Sequence, residues 1–388
     1  MTLAPLIPAK RPALPILSGV CATMTGIGLQ RFAYAPLLPA IVQAGLLSGG
    51  EAGALGAINL GGYLFGAALA PAIGRRLGTV GALRLAMLGA VLGFLLCAVP
   101  GGLAWLSPWR ALAGFSGGVL MVLAGPAVQQ VVPPAMRGLA AGLVFAGVGT
   151  GIVTGALLVP RLLPSGLPAT WLTLAGLAAL LTVVSWRLWP DVPAPPPMRL
   201  PRLRGPEGLL VLSYACAAVA QTAHMVWWPD FIARGLDRGT STAADFWILY
   251  GLAAASGPAL CGRLADRFGT ARMLRVVLAV QALALLLPLL ATNIWALAAS
   301  TICGGATAIG LTALTLTRAR ELVGDRASGI WRVSTAAFGL SQTITGFLMA
   351  SLYTITHGHL AIFATGLVGA LAALLLSRGR ANPATQTA

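Results

Sequence analysis

Charged side chains are scarce in this chain of 388 residues: only 9% are charged, whereas 57% are hydrophobic. A soluble domain carries roughly 25% charged residues, so this chain cannot cover a water-facing surface of the usual kind. The shortage excludes an ordinary soluble globular protein and requires apolar side chains to face lipid. Acidic residues are the rarest, with nine Asp and Glu against 25 Lys and Arg, which gives a net charge of +16.

Cysteine and histidine are too few and too scattered for metal or disulfide chemistry. Each of the five cysteines lies within an apolar run and none forms a Cys-x-x-Cys pair, so we interpret them as packing residues with free thiols. No Ser/His/Asp cluster, metal-ligand spacing or phosphate-binding glycine loop occurs between the apolar runs. We therefore expect no enzymatic activity, no metal and no cofactor.

Long apolar runs dominate the rest of the sequence. A membrane-spanning helix needs about 20 mostly apolar residues, and twelve such runs occur. They are too long and too uniformly apolar for the alternating strands of an outer-membrane barrel. The sequence predicts an all-α integral membrane protein whose twelve transmembrane helices lie near 14–42, 52–73, 82–99, 103–132, 138–160, 168–189, 208–233, 243–263, 273–291, 293–317, 328–355 and 359–377.

The basic residues suggest nucleic-acid binding by their number but not by their positions. A nucleic-acid-binding protein clusters them on one face of a domain, whereas here they recur in short groups between apolar runs, as in the positive-inside pattern. Twenty of the 25 fall at the termini, in alternate loops or at the ends of the runs beside those loops, three (Arg161, Arg234 and Arg238) in or beside the opposite loops, and two well inside runs. We predict a multi-pass protein of the cytoplasmic (inner) membrane that contacts lipid and no nucleic acid, with both termini cytoplasmic.

The chain repeats itself across its midpoint. A polar segment rich in proline and arginine, 190–207, separates a first half, 1–189, from a second half, 208–388. The run Arg76-Leu-Gly-Thr-x-x-x-Leu-Arg84 recurs 191 residues later as Arg267-Phe-Gly-Thr-x-x-x-Leu-Arg275. A parallel repeat of six spans fits transporters whose two six-helix bundles are related by an axis along the membrane normal.

The loops that carry this repeat resemble those of the major facilitator superfamily (MFS), whose signature is roughly G-x-x-x-D-R-x-G-R. The second copy is Gly262-Arg-Leu-Ala-Asp266-Arg267-Phe-Gly269 followed by Arg272. In the first copy, Gly74-Arg75-Arg76-Leu-Gly78, Arg75 stands where the Asp should be. The resemblance implies a gate loop made of Arg76, Gly262, Asp266, Arg267 and Gly269, and the missing Asp puts the latch of the first half in doubt.

Two further motifs extend the resemblance. The fourth run carries Arg110-x-x-x-Gly114-x-x-Gly117, similar to a motif of the superfamily. The start of the chain resembles the poorly characterised YbfB/YjiJ-type subgroup in Gly28-x-x-Arg31-Phe-x-Tyr34-x-Pro-Leu-Leu-Pro39 and Asn59-x-x-Gly62-Tyr63-Leu-x-Gly66. In the superfamily the first, fourth, seventh and tenth spans line a central cavity.

Arg31 and Arg110 are the two basic residues well inside apolar runs, away from the run ends. Charges within a bilayer are costly and usually face a cavity or a partner. With no acidic residue nearby in either run, they would attract an anion such as a carboxylate or phosphate, which Arg can bind bidentately. The alternative is that each guanidinium bonds backbone carbonyls or gate residues.

The repeat extends the candidate site into the second half. Shifted by 190 residues, Arg31 falls on Gln221 and Tyr34 on His224, and Trp228 lies one turn further on the same helical face. We expect this face to oppose that of Arg31 and Tyr34 across the cavity. The alternatives are hydrogen-bonded packing for His224 and an interfacial aromatic belt for Trp228.

Asn59, Tyr63 and Thr307 complete the candidates for substrate binding or coupling. Asn59 and Tyr63 lie one turn apart in the second run, and their alternative role is to hydrogen-bond between helices. The hydroxyl of Thr307 has its own helix backbone as an alternative partner. A proton relay would need His224, whose ordinary pKa of about 6.5 suits it, or Asp230.

These patterns and the resemblance together predict a monomeric secondary active transporter that moves a small organic anion by alternating access. Protons are a candidate coupling ion. One alternative is an efflux pump for hydrophobic or cationic compounds, although the sequence places no carboxylate in the middle of a run. The other is a non-transporting membrane sensor or scaffold.

Overall fold

The computed structural model describes residues 11–133, 136–194, 203, 205–324 and 327–378. Part of the predicted linker 190–207 and six of the basic residues counted for the topology, Lys10, Arg199, Arg202, Arg204, Arg326 and Arg380, lie outside the described residues. The described chain forms twelve helical segments joined by short loops, with no strand within these ranges.

Apolar residues, above all Leu, Ala and Val, fill these segments. They are α1 (Ala13–Gln43), α2 (Gly49–Leu77), α3 (Thr79–Cys97), α4 (Leu103–Val131), α5 (Arg137–Leu162), α6 (Leu167–Ser185), α7 (Pro206–Gly235), α8 (Gly239–Phe268), α9 (Thr270–Leu290), α10 (Ile294–Val323), α11 (Ala327–Thr356) and α12 (Leu360–Leu376).

Ten of the described helices, α1 to α10, are long and apolar enough to cross a membrane. The helix α12 is apolar but shorter, at 17 residues, and α11 is 30 residues long with polar side chains such as Gln342 along it. The prediction of an all-α fold with twelve helices is confirmed.

The two halves pack in the same way. In the first half α4 lies between α2 and α3, and α3 also contacts α6; in the second half α10 lies between α8 and α9, and α9 also contacts α12. The halves meet through α2 against α11, α5 against α8, and α1 against α7. Two six-helix bundles with matching neighbours therefore enclose a central region lined by α1, α2, α7 and α11.

Close approach of α2 and α4 fixes the geometry beside this region. Gly62 and Gly66 lie directly against the backbone of Ala111 and Phe115, so that any side chain at either glycine would clash. Small residues permit such contact between membrane helices. The Asn59 amide Nδ2 donates to the Arg110 carbonyl at 3.0 Å in the same interface.

The helix α1 is not a regular α-helix throughout, because Met24–Phe32 is π-helical. In a π-helical segment each hydrogen bond spans one more residue than in an α-helix, and such segments are frequent at functional sites. Here the π-helical segment carries Arg31. A shorter one, Phe231–Gly235, ends α7.

Contacts between the halves are concentrated at one end of the molecule. We call the end that carries Arg75, Arg76, Arg263 and Arg267 the basic end, and the opposite one the outer end. Along α2 and α11, contacts between the halves run from Gly49 and Tyr353 at the outer end to Leu64 and Gly339 near the middle. The molecule is closed at its outer end.

Candidate functional site

Arg31 projects from the π-helical segment of α1 towards the second half. Its Nε lies 3.0 Å from the Met225 sulfur on α7, and its Nη2 donates to the Gln342 Oε1 on α11. The guanidinium carbon also lies 4.9 Å from the centre of the Tyr63 ring. The cation is half-buried, and all of these partners are uncharged. Arg31 therefore links the two halves and has no ionic partner among the described residues.

Arg110 is buried more deeply, with 1% of its surface exposed. Its Nη1 donates to the Gln30 carbonyl at 2.9 Å, and its guanidinium carbon lies 4.5 Å from the centre of the Tyr34 ring. Its Nε has no hydrogen-bond partner among the described residues. Buried charges normally acquire a partner, because removal of an ion from water is costly.

A small cavity brings the two arginines together at the centre of the molecule. Its walls come from both halves and from four helices. The residues that line it are Arg31, Tyr34, Gly56, Asn59, Leu60, Arg110, Met225 and Val226. Four of the predicted site residues, Arg31, Tyr34, Asn59 and Arg110, thus share one cavity, and Tyr63 lies beside it under the Arg31 guanidinium.

The neutral members of this group are held by backbone atoms. The Tyr34 hydroxyl donates to the Ala52 carbonyl at 2.7 Å, and the Asn59 amide bonds the Arg110 carbonyl as described. Both side chains therefore have the helix–helix role that was the alternative for Asn59. Their remaining surfaces form the wall around the two cations.

The prediction that the α7 face with His224 opposes Arg31 across the cavity is wrong. Gln221 donates to the Ala308 carbonyl at 3.4 Å, His224 Nε2 lies 3.0 Å from the Ser300 hydroxyl, and Trp228 donates to the Thr301 hydroxyl at 2.9 Å. All three partners are on α10 of the same half. These polar groups take partners within their own bundle because none is offered by lipid.

Met225 and Val226 occupy the α7 surface that faces Arg31. Each residue of a helix turns a side chain by about 100° relative to the one before, so the immediate neighbours of His224 point elsewhere. The Thr307 hydroxyl donates to the Cys303 and Gly304 carbonyls of its own helix, at 2.8 and 3.1 Å. The structure therefore does not bring Gln221, His224, Trp228 or Thr307 to the cavity.

Two contacts of Arg31 were not predicted from the sequence, those with Met225 and Gln342. A methionine in an apolar run does not differ from a packing residue in the sequence. Gln342 has no equivalent among the candidate residues of the first half. The single clue was that Gln342 is a fully polar side chain within the eleventh apolar run.

Asp230, a candidate for a proton relay, lies at the outer end in a cluster of charged groups within the second half. Its carboxylate accepts two bonds from Arg234, at 2.5 and 2.6 Å, and one from His359 Nε2 at 2.8 Å. It is the one fully buried carboxylate in the part of the chain that the structure describes. Tyr353, which closes the outer end against Gly49, lies under the Arg234 guanidinium.

The predicted gate loops lie at the basic end, in matching turns. Gly78 and Gly269 both take positive φ, +74° and +85°, at the point where one helix ends and the next begins. Asp266 is exposed and forms no ion pair with any described residue. Arg76 is exposed, and Arg267 lies over the ring of Phe268. The gating role of these loops stays a prediction.

Comparison with known proteins gives a family and a fold. Residues 23–378 match the model of a family described as uncharacterised MFS-type transporter YbfB. The chain is similar to a crystal structure of a D-xylose–proton symporter, with a TM-score of 0.72 and 16% identity over 96% of this chain and 99% of that one.

A second similar structure is the xylose transporter XylE from E. coli in a partially occluded inward-open conformation. Its TM-score is 0.74, at 15% identity over 98% of this chain and 100% of that one. Identities this low show a shared fold alone. No protein of curated function matches the sequence.

Proposed function

The chain belongs to the YbfB-type family of MFS transporters, and on that premise we propose that it moves a small organic anion across the cytoplasmic membrane. It is a transporter and not an enzyme. Alternating access exposes a central site first to one side and then to the other. The anion would bind between Arg31 and Arg110, where the two halves meet.

The observation that carries this proposal is a pair of cations around one cavity with no carboxylate to balance them. The pairs of arginine and carboxylate among the described residues are Arg234–Asp230 and Arg318–Glu321, and neither cavity arginine takes part in them or in the contact of His359 with Asp230. Two cations that line one cavity attract an anion to it. A carboxylate or phosphate would supply that charge and satisfy the unpartnered Arg110 Nε.

Hydrogen bonds to charged groups are worth about 1.5–3 kcal/mol each. Those that Arg31 now makes, to an amide oxygen and a thioether sulfur, are weaker than bonds to an anionic oxygen. Binding of an anion is therefore favoured at Arg31 over the present contacts. A cationic substrate would be repelled from the same cavity, which disfavours the efflux alternative.

The orientation follows from the charges. The distribution of basic residues supports a cytoplasmic position for the basic end and for both termini. The present state, closed at the outer end, would then face the cytoplasm. A monomer suffices for this mechanism, and Asp230 with His359 is the candidate site if protons drive transport.

The test is a stability screen of the purified protein with single substitutions. A ligand that binds the folded state raises the melting temperature Tm by mass action. We expect one or more sodium salts among acetate, pyruvate, succinate, benzoate and inorganic phosphate to raise the Tm of the wild type at constant ionic strength. Arg31→Gln should abolish the shift, because it removes the charge and leaves a shorter, polar side chain.

The matched control is Arg161→Gln. Arg161 lies near the outer end of α5, is exposed, and bonds the Leu157 carbonyl of its own helix at 2.6 Å. Its loss should leave the shift unchanged. A Tm shift with tetraphenylphosphonium instead of the anions, unaffected by Arg31→Gln, would favour the efflux alternative.

A further inference from the structure

Gln342 is a buried side chain in the middle of α11 that reaches across to the first half. It is 1% exposed, and its Oε1 accepts a hydrogen bond from Arg31 Nη2. Only the oxygen of an amide can accept from a guanidinium, so the orientation of the amide is fixed by this contact. The other end, Nε2, has no hydrogen-bond partner among the described residues.

This amide is poorly satisfied where it lies. A buried donor without a partner loses the hydrogen bonds that it made in water and gains none in return. The position of Gln342 is therefore held by the bond to Arg31, and little else compensates its burial. A stronger acceptor for Arg31 could displace the amide at low cost.

The place occupied by Oε1 is the one that an anion would take. Arg31 directs its Nε to Met225 and its Nη2 to Gln342, and both atoms lie on the side of the guanidinium that faces the second half. A carboxylate binds a guanidinium along such an edge through two parallel bonds. The amide oxygen thus stands where one oxygen of a bidentate anion would lie.

We propose that Gln342 is an internal stand-in for the substrate, which the anion displaces from Arg31. In the empty site the neutral amide satisfies the cation and ties α1 to α11. When the anion binds, it replaces Gln342 as the partner of the guanidinium, and this hydrogen bond between the halves is broken. This inference rests on the proposed function, because it requires an anion at Arg31.

The proposal predicts opposite effects for two substitutions at one position. Gln342→Met keeps the length of the side chain but removes the competing oxygen, so the anion should bind more tightly, by about tenfold, since one charge-assisted bond no longer has to be broken. Gln342→Glu supplies a permanent carboxylate to Arg31, so binding should weaken by at least about a hundredfold. A residue with a merely structural role would not change Kd in opposite directions.

The measurement is a titration of the purified full-length protein with whichever of the five sodium salts shifts the wild-type Tm most. Gln130→Met and Gln130→Glu are the matched controls, because Gln130 is exposed on α4 and bonds the Pro126 carbonyl of its own helix. Both should leave Kd unchanged. The unliganded Gln342→Glu protein should also melt at a higher temperature than the wild type, because the new carboxylate pairs with Arg31.

The outcomes separate this inference from the proposed function. If the wild type binds an anion but Gln342→Met weakens binding or leaves it unchanged, the stand-in role is overturned and the proposed function survives. If none of the five salts raises the Tm of the wild type or of the Arg161→Gln control, the proposed anion site is wrong. The stand-in role of Gln342 is then wrong as well.

Discussion

The helices α1 and α7 occupy equivalent places in the two halves, yet they treat their polar side chains in opposite ways. On α1, Arg31 points across to the other half and is met by uncharged atoms. On α7, His224 and Trp228 point to α10 of their own half and are met by hydroxyl groups. The helices of the two halves pack in the same way, but their polar side chains point in different directions.

This difference divides the work between the halves. The first half supplies two cations that have no counter-ion among the described residues, and the second supplies neutral contacts to Arg31. The buried carboxylate of the second half, Asp230, lies at the outer end, where it pairs with Arg234 and bonds His359. Under the proposed function, an anion entering the cavity would meet the charge of the first half and break a contact to the second.

The largest effect that would test this comparison comes from the position of α1. A Cβ at Gly28 would lie 2.6 Å from the Cα of Gly151 on α5, so Gly28→Leu would force the two backbones apart. Overpacking costs about 1–3 kcal/mol even where side chains can move, and backbone cannot yield as they do. We expect loss of most folded protein and of anion binding, measured by size-exclusion chromatography and Tm.

The matched control is Gly142→Leu, also on α5, where nothing lies within 4 Å of an added Cβ among the described residues. This variant should fold with a yield near that of the wild type. Equal yields for both variants would contradict the view that the contact of α1 with α5 sets the position of Arg31.

An intermediate effect is expected at the outer end of α7. Asp230→Asn removes the charge that holds Arg234 and His359, and removal of one partner from a buried ion pair costs about 3–5 kcal/mol. Since Arg234 is partly exposed, we expect a loss of roughly 3 kcal/mol in the free energy of unfolding, measured by denaturation in detergent.

Glu321→Gln is the control for this change, because it breaks the exposed pair with Arg318 and should cost less than about 1 kcal/mol. Anion binding by Asp230→Asn should persist at temperatures where the protein is folded. If Asp230→Asn were as stable as Glu321→Gln, the carboxylate would not be the structural anchor of the outer end.

The positions of the membrane helices and of the polar residues inside them were predicted from the sequence, because lipid restricts which residues can lie there. The first predicted run, 14–42, matches α1, and Arg31, Tyr34, Asn59 and Arg110 were all recognised as candidates before they were found around one cavity. The direction of the α7 side chains was not predictable, because a repeat aligned to within one residue leaves a side chain uncertain by about 100°. The contact with Gln342 depends on how two distant helices cross, which no local pattern records.

The smallest expected effect tests the comparison of α1 with α7 most directly. It distinguishes a contribution of α7 to stability from a contribution to anion binding. Trp228→Phe keeps an aromatic ring against Phe231 and Phe363 but removes the bond to the Thr301 hydroxyl. We expect a loss of about 2 kcal/mol in stability, from the lost bond and the smaller ring, and an unchanged Kd for the anion. Combined with Thr301→Val, a double-mutant cycle should show that the two losses are not additive, as contacting partners require. A weaker Kd in Trp228→Phe would instead mean that α7 contributes this face to the substrate site, and that the two halves share the binding chemistry.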